Sequence, residues 1–328
     1  MTWDEIDWAS LGRQRERFLD GSPGRGPYWE TARDLASYDL TYGERIGWKW
    51  DAVLDELDRR GWAPAGGIVL DWGCGSGVAG RRVVAKFGQE RFGGLAVWDH
   101  SGLARSFARE AAAKDFPGLA VTDAEGLVAE GGPIGLLVIS HVLNELGPDS
   151  MAELSQLASR SRAVLWTEPG SREISRALGA VRERWREGFR VVAPCTHALA
   201  CPVLSEGNER HWCHHFAPPP PLIFADPNWV RFGQRAGIDL RSLPYSFLAL
   251  DREWAGGPTG LSRVIGRPEH FKPYVRLLNC DAEGLLELSA MKRDNPALYK
   301  ELEKTKRPLV YRWSRDGALI RSGEAVRG

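Results

Sequence analysis

Cysteine and histidine side chains are concentrated in one segment of the chain, 195-CTHALACPVLSEGNERHWCHHF-216. The 328 residues include five cysteines and seven histidines, and three of those cysteines and four of those histidines lie in this segment. Thiolate and imidazole groups are common protein ligands of zinc and of iron–sulfur clusters. The segment therefore indicates a metal centre, with Cys195, Cys201 and Cys213 as its candidate ligands.

The spacing of these cysteines bears on the kind of metal. A structural zinc site usually shows cysteine pairs separated by about two to four residues, whereas here the spacings are C-x5-C and C-x11-C. An iron–sulfur cluster tolerates irregular spacing and needs four sulfurs. Cys280 is then the remaining candidate, because Cys74 is interpreted as a small buried residue of a turn. We expect a cluster on Cys195, Cys201, Cys213 and Cys280, and zinc stays the alternative.

The sequence 71-DWGCGSG-77 places glycines at alternate positions, Gly73, Gly75 and Gly77, between a predicted strand and a predicted helix. Glycines allow a tight turn and a close approach of the backbone to a ligand, and the helix start offers unpaired N–H groups. The spacing differs from the G-x-G-x-x-G dinucleotide fingerprint, and Asp71 would repel a pyrophosphate. An acid suits a ligand with an ammonium group, and the turn resembles the first motif of class I S-adenosylmethionine-dependent methyltransferases.

Two further acids follow the next predicted strands. Asp99 stands where a carboxylate would accept hydrogen bonds from the two ribose hydroxyls of such a ligand, the same logic that holds for the ribose of NAD. Asp123, after the third strand, is placed to reach the adenine edge. Ser140, at the end of the fourth strand, completes the predicted cofactor-binding set, and the predicted cofactor is S-adenosylmethionine.

The fourth strand ends at 139-ISHVLNEL-146, where catalytic chemistry is expected. The Asn/Asp-Pro-Pro-aromatic tetrad of many nucleic-acid amino methyltransferases is absent here, and so is a catalytic cysteine for base C5 chemistry. His141 and Glu145 could act as bases, although single residues at a strand–helix junction more often pack or cap. The catalytic residues are left unassigned.

The elements that must position these residues alternate regularly from residue 66 onward, which predicts an α/β doubly wound parallel sheet. The predicted strands are 66–73, 95–101, 119–125, 134–143, 163–170, 246–252 and 261–268, and helices are predicted at 77–88, around 103–114, at 150–161 and at 171–189. We predict a helical cap over 1–65, a cofactor-binding domain over 66–268 with a Cys-rich insertion at 190–244, and a small β-rich appendage over 269–328.

Composition excludes some classes of protein. Hydrophobic residues make up 43% and charged residues 26% of the chain, as in ordinary globular proteins. No run of about 18 apolar residues exists, so the sequence predicts no membrane span. The start, MTWDEIDWASLG, resembles neither a secretory signal nor a transit peptide, and we expect a cytoplasmic protein. Net charge is zero, but residues 263–328 hold 14 basic and 9 acidic side chains, which could serve contact with phosphates.

Several stretches carry a resemblance to a known family. 194-PCTHALACPV-203 and 211-HWCHHF-216 resemble the Cys-Pro-His…Cys-Pro and Trp-Cys-His-Phe signatures of the methyltransferase-like assembly factors of the mitochondrial ribosomal small subunit. 140-SHVLNEL-146, 167-TEPGS-171 and 279-NCDAEG-284 match in order and spacing. The resemblance implies a class I methyltransferase fold, a [4Fe–4S] cluster on the four cysteines, and action on the ribosomal small subunit and its rRNA. Thr196 departs from the first signature, which has proline there.

Three functions fit these observations. The first is an rRNA- or ribosome-directed protein that binds S-adenosylmethionine and contains a structural iron–sulfur cluster, acting as a methyltransferase or as an assembly factor. The second is a small-molecule methyltransferase with a structural zinc site, which the neutral charge favours mildly. The third is a non-catalytic RNA-binding assembly factor that keeps the fold as a scaffold. The cysteine pattern favours the first and third over the second.

Overall fold

The computed structural model of the chain describes residues 1–20, 29–257, 259–304 and 309–326. These residues form two compact units. Unit 1 comprises Met1–Leu54, Ala63–Glu168 and Pro219–Leu243, and unit 2 comprises Asp55–Trp62, Pro169–Pro218 and Pro244–Gly328. This division does not follow the predicted boundaries at residues 65 and 268. Residues 21–28 of the predicted helical cap lie outside the described residues.

Unit 1 is built on parallel strands. They are β1 (Gly67–Trp72), β2 (Phe92–Trp98), β3 (Val121–Asp123), β4 (Ile134–Ser140) and β5 (Ser161–Pro169), whose last residue is counted in unit 2. Their order is β3-β2-β1-β4-β5. The runs of valine, leucine and isoleucine in β1 and β4 are buried, as expected for central strands of a parallel sheet. The carboxyl ends of β1, β2 and β4 therefore lie side by side.

Helices surround these strands. They are α1 (Trp8–Asp20), α2 (Ala32–Tyr38), α3 (Glu44–Arg59), α4 (Val78–Phe87), α5 (Gly102–Asp115), α6 (Glu125–Glu130) and α7 (Pro148–Arg160). A π-helical turn, Asp39–Gly43, joins α2 to α3. Ser101 caps α5 by accepting a hydrogen bond from the N–H of Ala104, the usual function of a serine at this position. Helix α4 packs on β1 and β4, and α5 packs on β2 and β3.

Unit 2 contains α8 (Arg172–Trp185), three strands and a closed barrel. Strands β6 (Arg190–Ala193) and β7 (His215–Phe216) both pair in antiparallel fashion with β8 (Pro244–Asp251). Between β7 and β8 the chain forms α9 (Leu222–Ala225) and α10 (Pro227–Ala236), which belong to unit 1. The predicted insertion 190–244 is thus divided between the two units.

The barrel consists of β9 (Ser262–His270), β10 (Tyr274–Asp281), β11 (Gly284–Met291), β12 (Val310–Asp316) and β13 (Leu319–Ala325), with α11 (Pro296–Glu303) between β11 and β12. Going around the barrel, the order is β9-β10-β11-β13-β12, and β12 pairs with β9 to close it. Its core includes Val264, Val275, Leu288, Tyr311 and Ile320.

The predicted α/β class is confirmed, and most predicted strands and helices agree with the structure within a few residues. The prediction that 261–268 completes the parallel sheet is wrong, because β9 pairs with β10 and β12 of the barrel. Local pattern could not reveal this, since the partners of a strand are chosen by tertiary packing. Among the described residues, no helix is long and apolar enough to span a bilayer.

Candidate functional site

The turn after β1 bends through its three glycines. Gly73, Gly75 and Gly77 have φ angles of +69°, +51° and +78°, a region that side chains rarely adopt. A Cβ on Gly73 would lie 2.7 Å from a methyl carbon of Val142, and one on Gly77 would lie 2.8 Å from the Cβ of Ala108. A Cβ on Gly75 would meet no heavy atom closer than 3.8 Å. Gly73 and Gly77 thus leave no room for a side chain, and a Cβ on Gly75 would contact the ring of Trp29.

Asp99 is the acid closest to this turn. Its Oδ2 accepts a hydrogen bond of 3.0 Å from the Gly75 N–H, and its Oδ1 accepts one of 2.9 Å from the Ser101 N–H. Burial raises the pKa of Asp99. Each carboxylate oxygen has a further lone pair, so both can accept hydroxyl groups of a ligand. The structure therefore places Asp99 at the glycine turn, as the sequence indicates.

Asp71 lies underneath the turn and is fully buried. Its Oδ2 accepts a 2.9 Å hydrogen bond from the Gly80 N–H in the first turn of α4. Burial raises the pKa of Asp71 to about 7. Within the described residues its Oδ1 has no hydrogen-bond partner. Asp71 thus fixes α4 against β1 from beneath the turn.

Asp123 is engaged by a neighbouring arginine. The Nε of Arg105 donates to its Oδ2 at 2.7 Å, and the Glu125 N–H donates to its Oδ1 at 2.9 Å. Arg105 also donates to the backbone carbonyl of Asp99 at 2.8 Å, so it ties together the ends of β2 and β3. Burial opposes ionisation of Asp123, but these hydrogen bonds dominate and lower its pKa. We define the glycine-loop site as Asp71, Gly73, Gly75, Gly77 and Asp99.

A chain of polar contacts follows β4. The indole Nε1 of Trp50 donates to the Ser140 hydroxyl at 3.0 Å, and that hydroxyl lies 3.1 Å from Nδ1 of His141. Nε2 of His141 lies 3.1 Å from Nζ of Lys49. His141 has a φ of +56°, a strained value for a residue with a side chain. The predicted Ser140 is therefore bonded within the protein, and it positions His141.

Protonation of this group is shifted by burial. Burial and the charge of Arg45 lower the pKa of Lys49 to about 7, and burial with the charges of Lys49 and Arg45 lowers the pKa of His141 well below its ordinary value. Glu168, at the end of β5, accepts hydrogen bonds from the N–H groups of Val142 and Leu143. Burial raises the pKa of Glu168 to about 7. Groups of this kind can exchange protons near neutral pH.

Sequence reasoning identified His141 here but missed Lys49, Trp50 and Glu168. The available signal was 48-WKW-50, a lysine flanked by large apolar residues in a helix. Glu145, the other predicted base, lies in a short 3-10 turn, Leu143–Glu145, and is half-buried.

In unit 2 the structure brings the four predicted cysteine ligands together. Cys201, Cys213 and Cys280 pack around Val203 and Ile265 in one apolar cluster. Burial and the mutual repulsion of the thiols, including that of Cys195, raise the pKa of Cys201, Cys213 and Cys280. Among the residues that the structure describes, no group of three or more His, Cys, Asp or Glu side chains is spaced as the ligand set of a metal ion.

Buried arginines surround the cysteines. Arg263 is 2% exposed in its side chain and pairs with Glu56, which also pairs with Arg60 at 3.0 Å. Arg182, 3% exposed, pairs with Glu183. Burial disfavours the charge of Glu56, but Arg263 and Arg60 lower its pKa to about 2. These three guanidinium groups face two carboxylates, so one positive charge beside the thiols is not neutralised by this set.

These three arginines, together with Arg176, hold the cysteine segment by its backbone. Arg60 and Arg176 each donate to three carbonyls, Arg263 donates to the Pro194 carbonyl, and Arg182 donates to the His197 carbonyl. The carbonyls bonded by Arg60 belong to Val192, Pro194 and Cys195, and those bonded by Arg176 belong to Val203, Asn208 and His211. The sequence did not indicate these arginines, since residues 56–60, 176–182 and 263 are far apart along the chain. We define the cysteine site as Cys195, Cys201, Cys213 and Cys280.

Comparison of the sequence with protein-family models gives one match. Residues 51–306 match the family described as mitochondrial small ribosomal subunit Rsm22. The chain belongs to this family. The match includes the glycine-loop site and all four cysteines of the cysteine site. No curated protein shows significant sequence similarity to the chain.

Several solved structures that resemble this chain are methyltransferases. The N-methyltransferase NodS from Bradyrhizobium japonicum WM9, in complex with S-adenosyl-L-homocysteine, is 11% identical with a TM-score of 0.40, covering 74% of this chain and 99% of that one. Magnesium protoporphyrin IX methyltransferase from Synechocystis PCC 6803 is 15% identical with a TM-score of 0.39, covering 75% and 100%. A putative RNA methyltransferase from Pyrococcus horikoshii is 13% identical with a TM-score of 0.36, covering 73% and 98%.

The strand order β3-β2-β1-β4-β5 and the helices beside it are those of the class I methyltransferase-like fold. The predicted fold class, including a β-rich C-terminal part, is therefore confirmed.

Proposed function

We propose that this member of the Rsm22 family binds S-adenosylmethionine at the glycine-loop site and acts on the ribosomal small subunit through its rRNA, as a methyltransferase or an assembly factor. The observation that carries the proposal is the tight glycine turn after β1, with the Asp99 carboxylate hydrogen-bonded to the N–H of Gly75. When bound, S-adenosylmethionine supplies a methyl group on a cationic sulfonium.

The residues of the site suit such a ligand. Both oxygens of Asp99 can accept ribose hydroxyls, and charge-assisted hydrogen bonds of this kind are among the stronger ones. Asp71 lies buried beneath the turn, where an ionised carboxylate would favour a cationic ligand. The φ of +51° at Gly75 favours glycine, so the backbone of the turn beside Asp99 carries no side chain. Asp123 is oriented by Arg105 and is partly exposed.

Lys49 and His141 provide a route for protons. Both retain partial exposure to solvent at the carboxyl end of β4, and their nitrogen atoms are 3.1 Å apart. With a lysine pKa of about 7, a large share of the amine is neutral at physiological pH. A substrate amine or hydroxyl loses a proton when its nitrogen or oxygen is methylated, and the Lys49–His141 pair can accept it.

The ribosomal partner is supported by the family to which the chain belongs, whose description names the mitochondrial small ribosomal subunit. The excess of basic residues in 263–328 is compatible with a polyanion.

An iron–sulfur cluster on the cysteine site is the second part of the proposal. Its support is the gathering of four thiols next to one uncompensated guanidinium charge, since a thiolate-bound cluster is negatively charged. Two sulfurs bound to one zinc ion lie within about 4.6 Å of each other, because each Zn–S bond is about 2.3 Å. The sulfurs that hold a cluster lie farther apart, so the metal content of the protein distinguishes the two.

The experiment measures both parts on one sample. Protein purified without oxygen is assayed for iron and sulfide, titrated with S-adenosylmethionine by calorimetry, and sedimented with purified small ribosomal subunits with and without the ligand. We expect brown protein with four iron and four sulfide atoms per chain, saturable ligand binding and co-sedimentation. Stoichiometric zinc in colourless protein would overturn the cluster, and absence of both ligand binding and co-sedimentation would overturn the main proposal.

A further inference from the structure

The barrel of unit 2 has an informative topology. Its third strand, β11, runs parallel to its fifth, β13, the other strand pairs of the barrel are antiparallel, and α11 lies between the third and fourth strands. A five-stranded barrel with the order 1-2-3-5-4 and a helix after the third strand is an OB fold. In OB folds the face formed by the second and third strands, with the adjoining loops, binds oligonucleotides or oligosaccharides. Here that face belongs to β10 and β11.

One end of this face is covered by the cysteine segment. Cys280 of β10 stands opposite Leu285 of β11, and both pack in the cluster that contains Cys201 and Cys213. At the other end, Arg276 stands opposite Ser289, and both side chains are partly exposed. A ligand of the β10–β11 face would therefore use that second end and the surfaces next to it.

Aromatic and guanidinium groups meet at that end. Phe271, in the loop from β9 to β10, stacks on Tyr274 with ring centroids 4.7 Å apart and planes at 20°. Its side chain is 38% exposed. The guanidinium of Arg276 lies 5.6 Å from the centre of the Phe271 ring and pairs with Glu269. An exposed aromatic ring in a loop of three residues offers a face for stacking.

A second stack lies along the neighbouring strand β7. The rings of Trp212 and His214 are 4.6 Å apart and nearly parallel, and His214 contacts Phe216 at 5.5 Å. The guanidinium of Arg267 lies 4.0 Å from the centre of the Phe216 ring. The backbone carbonyl of His214 accepts a hydrogen bond from Gly266 of β9, so this stack adjoins the barrel.

The two stacks are connected through β9. Arg267 and Glu269 are both exposed and alternate along this strand, and Glu269 stands opposite Arg276. We call the resulting surface the stacking strip, and it consists of Trp212, His214, Phe216, Arg267, Arg276 and Phe271.

We propose that the stacking strip binds a short single-stranded RNA segment. The proposal rests on the proposed function for the choice of RNA as partner. It adds which surface binds the RNA and that the bound RNA is single-stranded. Bases of a single strand are free to stack on aromatic rings and guanidinium planes, whereas those of a duplex are not. The two arginines complement the negative charge of RNA phosphates. They offer no such charge complementarity to an oligosaccharide, the other ligand class of OB folds.

The test uses the full chain and fluorescence anisotropy with labelled uridine homopolymers of about 12 nucleotides, and with an RNA duplex of the same length. We expect Phe271→Ala to weaken single-strand binding about tenfold. In Arg267→Gln/Arg276→Gln the slope of log affinity against log salt should fall by about 0.7 for each arginine. Matched controls are Phe224→Ala, an exposed phenylalanine of α9, and Arg184→Gln, an exposed arginine of α8, and both should bind like the unmodified protein.

Equal affinity for single strand and duplex would overturn the proposal, and so would unchanged binding in both strip variants. Co-sedimentation with small subunits and calorimetry with S-adenosylmethionine on the same proteins keep the two proposals apart. One outcome is that the unmodified protein and the strip variants co-sediment equally well and bind the oligonucleotide equally well. The proposed function then stands, and the proposal that the stacking strip binds RNA is wrong. If the unmodified protein binds neither subunit nor S-adenosylmethionine, the proposed function itself fails.

Discussion

The glycine-loop site and the cysteine site are held in place in two different ways. In the first, the backbone does most of the positioning: the Cys74 N–H donates to the Trp98 carbonyl, and the Gly75 N–H donates to Asp99. These groups follow directly on adjacent strands. In the second, arginine side chains from distant parts of the chain hold a segment with few regular elements by its carbonyls. The first site is therefore fixed by contacts between neighbouring strands, while the second depends on charged side chains from distant segments.

The largest effect is expected for Cys280→Ser. If four thiolates hold a cluster, replacing one by a hydroxyl should reduce iron and sulfide to a small fraction of their original content and make segment 190–218 sensitive to limited proteolysis, because metal binding free energy contributes to folding. Binding of S-adenosylmethionine should change much less. The measurements are iron and sulfide per chain, proteolysis rate and calorimetry on the same sample.

Cys74→Ala serves as the control, since this buried thiol belongs to the glycine turn, and it should keep its iron. Full iron content in Cys280→Ser would place the fourth ligand elsewhere. Equal loss of iron and of S-adenosylmethionine binding would show that the two sites do not differ in the way described above.

The next largest effect is expected for Glu56→Gln. It removes the buried partner of Arg263 and Arg60, and leaving a buried charge unpaired costs about 3–5 kcal/mol in the free energy of unfolding. Urea unfolding followed by tryptophan fluorescence measures the change. Asp316→Asn, which breaks the exposed pair with Arg321, should produce no measurable change. If Glu56→Gln lowers the free energy of unfolding no more than this control does, the pairing of Glu56 with the arginines does not stabilise unit 2.

Asp99→Ala sharpens the comparison at the glycine-loop site. Loss of the carboxylate should weaken S-adenosylmethionine binding at least tenfold, because hydrogen bonds to a charged group are worth about 1.5–3 kcal/mol each. Iron content should not change. Calorimetry gives the affinity, and Glu110→Ala, an exposed acid of α5, is the control. Unchanged affinity would remove Asp99 from the site.

The smallest effect concerns pH and Glu168. Burial raises its pKa from 4.5 to about 7, so the folded protein binds more protons than the unfolded chain between these values. The stabilising contribution is complete below pH 4.5 and is lost as the pH rises to 7. In Glu168→Gln, the decrease in unfolding free energy between pH 5 and pH 7 should therefore be smaller, by about 2 kcal/mol.

Urea unfolding at the two pH values provides the test. Asp71, whose pKa is also about 7, should preserve part of the decrease. An identical pH dependence in the variant and the unmodified protein would show that Glu168 is not titrating in this range.

The sequence by itself determined the local parts of this protein. Alternating apolar strands and amphipathic helices predicted the α/β class, and the glycine spacing predicted the turn after β1 with Asp99 at the end of the next strand. These inferences succeed because the turn, its glycines and the strand ends depend on neighbours in the chain. The four cysteines were also identified from residue type and from the resemblance of their segment to a known family.

Only the tertiary structure decided the remainder. It assigned β9 to a barrel and not to the parallel sheet, because strand pairing over long separations is set by packing and not by local pattern. It brought Lys49 to His141 and gave both altered pKa values, since desolvation exists only once the surroundings are folded. It also placed Glu56 and Arg263, separated by 207 positions in the chain, in one buried pair beside the cysteines. No local pattern encodes such a pair, because its free energy depends on the exclusion of water by residues from several distant segments.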